Sequence, residues 1–226
     1  MALLLQIESA TAECSVALAR DGKVLAWCAA EQSFDHAARI TVLIRQCLDD
    51  AGLDMQDLEG VAVSRGPGSY TALRVGASAA KGFCYAVDLP LLPVDTLLSL
   101  AWAAREQFPG ALYIPMIDAR RMEVYAAVYD AELVTLREAR PIVIEKDSFR
   151  DILSGEQAVV FSGDGAEKCK PVLSSGPAVW SDILCDARHL TGPAALAFES
   201  GQFASIVDYN PLYIKPPNIT APRKVL

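Results

Sequence analysis

Histidine is nearly missing from this 226-residue chain: His36 and His189 are the only two, far apart, with no H-x-x-x-H or H-E-x-x-H pair. The helical motifs for zinc, iron or a metalloprotease are therefore absent, and His36, at an expected helix start, reads as a surface or interface residue rather than a ligand. The six cysteines, Cys14, Cys28, Cys47, Cys84, Cys169 and Cys185, contain no C-x-x-C pair. Cys14, Cys47 and Cys84 lie in apolar periodic segments and read as small buried hydrophobes rather than nucleophiles. No stretch approaches the roughly 20 apolar residues of a membrane-spanning helix. The opening MALLLQIES has neither the basic start nor the full apolar core of a secretory leader, so a cytoplasmic chain with free thiols and no membrane association is expected. Positive charge is scarce too: 20 Lys and Arg stand against 28 Asp and Glu, a net charge of −8. A chain that grips nucleic acid unaided needs clustered basic residues, so any such role must run through a basic partner.

What is present is apolar material, 52% of the residues, enough for real cores. The length suits two compact domains of about 100 residues each. The stretch around which the chain is organised is SRGPGSYTALRVG, residues 64–76. An apolar run at 60–63 enters it, and a small-residue helix over 71–87 leaves it. Glycines and a proline at Gly66, Pro67 and Gly68 force a tight turn at a helix start, where unpaired N–H groups and partial positive charge gather. Gly66, Pro67, Gly68, Ser69, Tyr70 and Thr71 are thus candidates for phosphate or nucleotide contact. The P-loop lysine is missing, and a plain turn with Ser69 or Thr71 capping the helix explains the same residues.

Three strands are expected first, over 3–8, 14–20 and 23–30, with Asp21-Gly22 as a hairpin turn. Asp35 caps a helix reaching Ala51, its apolar face marked by Ile40, Leu43, Ile44, Cys47 and Leu48. Strand 61–63, helix 71–87, strand 91–94 and a helix starting at Asp95 or Thr96 and ending before Pro109 complete a ribonuclease-H-like order. The pattern then begins again. Residues 7–18 can be laid on 117–128 without a gap at an offset of 110, matching Ile7 with Ile117, Glu13 with Glu123 and Ala17 with Ala127. An acid ends the first strand both times, Glu8 and Asp118, and VAVS at 61–64 answers VVFS at 159–162 before a glycine turn. A duplicated domain follows. The expected fold is α/β, two tandem ribonuclease-H-like domains of mixed sheets flanked by helices. The first covers residues 1–100 with a returning segment at about 190–226, and the second covers 101–189. Within the second, a strand over 140–145 and short helices after Asp147 or Ser148 and after Gly163-Asp164-Gly165 are expected, and the returning segment carries a last helix over 193–203. The proline-bearing tail at 209–217 suits an extended strap or a partner contact.

Facing domains of this kind commonly hold a nucleotide between Gly-rich turns. Here the first turn, Ser9-Ala10-Thr11-Ala12-Glu13, contains no glycine, and Glu13 adds repulsion to phosphate, so a cleft that has lost catalysis is expected. Asp118 and Arg120 either serve the cleft or form a solvated ion pair at a strand end. In the helix over 71–87 the only charges are Arg74 and Lys81, while Ala72, Gly76, Ala79, Ala80 and Phe83 form a small-residue stripe. A helix apolar over most of its circumference needs cover on more than one side, from a partner or from the second domain. The expected partner interface is His36, Ile40, Leu43, Ala72, Gly76, Ala79, Ala80 and Phe83.

GPGSYTALRVGASAAKG, QIESATAECSVAL, DARRMEVYAAVY and PLYIKPP together resemble the TsaB (YeaZ) family of tRNA threonylcarbamoyladenosine biosynthesis subunits, over nearly the whole chain. Ala72 replaces a glycine usual in that family, and Glu8-Ser9 replaces Asp-Thr. The first change argues against close backbone approach there, the second against a metal or nucleotide role for the first turn. The resemblance implies an actin-like ATPase fold without catalysis or cofactor of its own. It implies pairing through the first-domain helices with a TsaD-like paralogue that binds metal and nucleotide. That paralogue transfers threonylcarbamoyl from its adenylate to an adenosine of tRNAs reading ANN codons. It further implies a TsaE-like ATPase in the assembly, a nucleotide at the partner interface, and a homodimer through a similar face when the chain is alone. Two other readings stand beside it: an independent actin-like ATPase or small-molecule kinase, and a peptidase-like protein, for which no residue constellation is present.

Overall fold

In a computed structural model, residues 2–30, 36–173 and 176–216 are described. The expected cap Asp35 and the last residue of the tail motif, Pro217, lie outside them, as does the side chain of His36.

The first sheet has the order β3-β2-β1-β4-β5. Its strands are β1 (Leu3–Glu8), β2 (Ser15–Arg20), β3 (Lys23–Ala29), β4 (Gly60–Gly66) and β5 (Leu91–Asp95). β1 to β3 form an antiparallel meander, and β4 and β5 add in parallel, β4 beside β1. Asp21 and Gly22 both take positive φ, 52° and 75°, which the tight hairpin between β2 and β3 requires. Side-chain alternation divides the central strand between two cores. Leu3, Leu5 and Ile7 meet Ile40, Leu43, Ile44 and Cys47 of α1 (His36–Ala51) and Ala80 and Cys84 of α2 (Tyr70–Val87). Leu4, Ala62 and Leu92 point the other way, onto Leu190 and onto Ala194 of α6 (Thr191–Glu199). Each fully buried leucine or isoleucine contributes about 2 kcal/mol, so the sheet is held firmly from both faces.

The second sheet repeats the first, in the order β10-β9-β6-β7-β8. It comprises β6 (Leu112–Asp118), β7 (Glu123–Tyr129), β8 (Thr135–Val143), β9 (Val159–Ser162) and β10 (Ala178–Trp180). β9 lies parallel to β6 as β4 does to β1, and Glu8 and Asp118 end the equivalent strands. α3 (Thr96–Gln107) covers one face through Leu97, Leu100 and Ala104 against Tyr113, Ile117 and Val160. On the other face the two long helices of the first half shrink to α4 (Arg150–Leu153) and α5 (Ala166–Cys169), and Phe149, Leu153, Cys169 and Leu173 complete the core. Phe161 stacks on Trp180 with ring centroids 4.4 Å apart.

Three expectations shift. The strand placed at 140–145 begins at Thr135, because pairing with β7 overrides its polar composition, and it ends at Val143 opposite Glu123. Neither Asp147 nor Ser148 caps α4. The helix starts after Phe149 at φ 60°, Ser148 Oγ accepts the Glu145 N–H, and Asp147 pairs with Arg150. The last helix is α6, ending before Gly201 at φ +64°, so 200–203 leave it.

Candidate functional site: two turns and the cleft between them

The two repeats build the same turn after their first strand. Glu8 Oε1 accepts the Ala10 N–H at 2.6 Å, and Asp118 Oδ1 accepts the Arg120 N–H at 2.8 Å. The backbone beside each acid is held from the other half of its own sheet: Ser9 N–H donates to Ser64 Oγ at 3.2 Å, and Asp118 N–H donates to Asp164 Oδ1 at 2.9 Å. Their surroundings differ. Glu8 is fully buried, its Oε2 has no hydrogen-bond partner, and burial pushes its carboxyl up to about 7, against the lowering effect of the Ala10 N–H and Ser64 bonds. Asp118 is exposed at its side chain and pairs with Lys168. Its neighbour Asp164 is pushed upward, chiefly by burial.

The central turn closes on this geometry. β4 ends at Gly66 with φ +113°, the Gly66–Pro67 peptide is cis, and Gly66 N–H donates to Thr96 Oγ1 at 3.2 Å. Pro67 has no N–H. Ser69 N–H donates to the Ala10 carbonyl at 2.7 Å, and a Cβ on Gly68 would lie 2.4 Å from that same oxygen. An oxygen of the chain's own first turn thus takes one donor of the stretch from Gly66 to Thr71, while Pro67, Gly68, Ser69, Tyr70 and Thr71 still line the cleft between the repeats. Ser69 occupies the N-cap position of α2 without a side-chain capping bond, and Thr71 is exposed in the first turn. Tyr70 turns its ring to Tyr213, 4.4 Å between centroids, with the Arg74 guanidinium 4.2 Å over it.

Between the repeats lies a cleft of about 760 Å³. Ala10, Ser69 and Thr71 line it from the first repeat, Asp118, Arg120 and Asp164 from the second, and the tail at 212–216 crosses it. Asp118 thus belongs to both descriptions offered by the sequence, facing the cleft while holding an ion pair. The entry of Tyr213 and Lys215 into this site was not legible from the sequence, although prolines had marked the tail as a strap.

The small-residue stripe faces inward. Ala72, Gly76 and Ala80 are buried, and a Cβ on Gly76 would come 2.2 Å from Ser9 Oγ, so this glycine lets α2 lie against the first turn. Ile40 and Leu43 are 2% and 5% exposed, packed in the core under α1, and Ala79 and Phe83 are half-buried against that core. As the contact residues of an interface, Ile40, Leu43, Ala72, Gly76 and Ala80 are therefore corrected: a partner cannot reach side chains enclosed by their own domain. The open side of α2 carries Thr71, Arg74, Ser78, Gly82 and Tyr85, the last 84% exposed. Lys81 donates to the carbonyls of Val207 and Tyr209, and Arg74 to Tyr213, so both meet the tail.

All six cysteines are buried. Burial pushes the Cys14 and Cys47 thiols up to about 12 and those of Cys84 and Cys169 to about 11, unsuited to nucleophilic attack near neutral pH. His189 is held low, chiefly by burial. Among the described residues no group of three His, Cys, Asp or Glu is placed to hold a metal ion, and no helix is long and apolar enough to cross a membrane.

Comparison with known proteins agrees with this architecture. The model of the family described as "TsaD: tRNA N6-adenosine threonylcarbamoyltransferase" matches residues 29–205. The Escherichia coli tRNA threonylcarbamoyladenosine biosynthesis protein TsaB is 30% identical, over 94% of this chain and 94% of its own. YeaZ from Pseudomonas aeruginosa superposes with a TM-score of 0.81 at 26% identity, covering 94% of this chain and all of that one. At 10% identity, the activator of 2-hydroxyisocaproyl-CoA dehydratase from Clostridium difficile shares the fold alone, with a TM-score of 0.53 over 88% of this chain and 96% of that one. With the duplicated five-stranded sheets and likeness along nearly its full length to TsaB and YeaZ, the chain belongs to the TsaB (YeaZ) family, within the wider set of TsaD-related actin-like folds.

Proposed function

We propose that this chain is a non-catalytic subunit required for N6-threonylcarbamoyladenosine modification of tRNA, and that it acts by binding and activating a TsaD-like paralogue. The observation that carries the reading is the Ala10 carbonyl seated against Gly68 and bonded to Ser69 N–H, which takes a donor the turn would otherwise offer to phosphate. A buried Glu8 that keeps its proton up to about pH 7 is likewise a poor metal ligand. The chain then carries no cofactor of its own, and a nucleotide of the complex sits at the seam with the partner. The open side of α2 beside α1 is the docking face, where Tyr85 is an aromatic anchor and Ser78 and Gly82 permit close approach. The same face joins two copies when the chain is alone, so self-association competes with the partner. A TsaE-like ATPase completes the cytoplasmic assembly, and with a net charge of −8 the chain meets tRNA only through its partners.

The test is reconstitution. Transfer of threonylcarbamoyl to tRNA by the TsaD-like partner should be lost when this chain is omitted, restored when it is added, and lost again with Ser78→Arg. Normal transfer without the chain would defeat the proposal, as would phosphate release from ATP by the purified chain.

A further inference from the structure

The tail makes more bonds than a loose end needs, and it makes them to both repeats. Lys81 holds the carbonyls of Val207 and Tyr209 at 3.3 and 3.1 Å. Leu212 N–H donates to the Arg65 carbonyl at 2.6 Å, and Leu212 O is the nearest atom to the Cβ position of Gly66, so the tail runs against the central turn. Tyr213 then lies on Tyr70 and accepts from Arg74 Nε at 3.1 Å. Two residues later the chain has reached the second repeat, where Lys215 Nζ meets Glu123 Oε2 at 2.7 Å at the first position of β7. Between these anchors residues 212–216 form one wall of the cleft. The first-repeat side of the attachment is a backbone bond plus an aromatic and cationic stack, while among the described residues the second-repeat side rests on one partly exposed ion pair. An attachment so unequal releases at its weaker end first.

We propose that residues 209–216 are a clasp. It fixes the angle between the two repeats and covers the cleft, and it opens by parting of Lys215 from Glu123 while Tyr213 stays seated on Tyr70. Ligand access to the cleft, and any change of angle between the repeats, would then require release of this latch. The inference concerns this chain's own tail and stands whether or not the subunit activates a TsaD-like partner.

Hydrogen exchange and small-angle scattering on the full chain test it. Lys215→Glu, which sets two carboxylates against each other, should speed amide exchange at 214 and 215 roughly tenfold while the Leu212 N–H, held by the Arg65 carbonyl, stays slow, and should raise the radius of gyration, with the thermal midpoint of the sheets little changed. Combining Lys215→Glu with Glu123→Lys restores the pair in reverse and should return both readouts towards the original. Tyr213→Ala should free the segment from the first repeat as well and spread fast exchange to the turn at 66–71. Unchanged exchange in Lys215→Glu would overturn the clasp. So would exchange in the unaltered chain already as fast as in the variant, or failure of the swapped pair to slow it.

Discussion

The two repeats make one turn with opposite chemistry. In both, the last residue of the first strand is an acid that accepts the N–H two residues on, at 2.6 Å for Glu8 and 2.8 Å for Asp118. In the first repeat that acid is sealed beneath α2, because Gly76 lets the helix lie on Ser9 and Ala10 takes the Ser69 N–H. In the second repeat the helix equivalent to α2 is the four-residue α5, which leaves the acid open to the cleft and within reach of Lys168. The same local bond thus produces a dry end and a wet one, and what differs is the length and closeness of the helix above it. That difference separates an acid open to the cleft from an acid closed inside a core.

Filling the space that seals the first turn should have the largest effect. Gly76→Leu drives a side chain into Ser9, and Gly68→Val drives one into the Ala10 carbonyl, so each should lower the unfolding free energy by about 4 kcal/mol in urea titration. A loss below about 1 kcal/mol would mean the turn is not tightly closed. The next effect is a pH dependence. The carboxyl of Glu8 lies near 7 when folded against 4.5 for an ordinary glutamate, so the folded chain binds the extra proton between those values. Stability from this group therefore falls as pH rises from 4.5 through 7, by about 3 kcal/mol in all, and the penalty is complete above 7. Glu8→Gln should remove that decline, seen as a difference between variant and parent that grows from pH 5 to pH 8. A constant difference over that range would show that Glu8 ionises as an ordinary solvated glutamate. The smallest effect belongs to the wet counterpart. Lys168→Ala should cost about 1 kcal/mol or less, since its ion pair with Asp118 is partly solvated. A loss as large as that of Gly76→Leu would erase the contrast between the repeats.

Much of the first sheet was legible because its signals are local. β1 is an unbroken apolar run, Asp21-Gly22 fits a tight hairpin, and Ile40, Leu43, Ile44, Cys47 and Leu48 fall on one helical face. The offset of 110 residues disclosed the duplication, since strand order and the terminal acid recur even where side chains do not. β8 was misplaced because Thr135 to Glu138 look like a loop until β7 lies alongside, and β10 was missed because three half-buried residues carry no period. At the site, apolarity of the helix over 71–87 was readable, but not which side its small residues would face. Alanines and glycines suit a partner's surface and a domain's own interior equally well, and only Ser9 beneath Gly76 tells the two apart.

Composition and pattern were sufficient for the α/β class, the repeat, the missing metal motifs and the lack of glycine in the first turn, because each follows from residue type and spacing within a short window. The state of Glu8, the inward turn of Gly76, the Ala10 carbonyl at Ser69 and the landing of Tyr213 and Lys215 across the cleft were decided by the tertiary structure. Those depend on residues brought together from over fifty to well over a hundred positions apart, where burial and hydrogen bonding, rather than local preference, set the outcome.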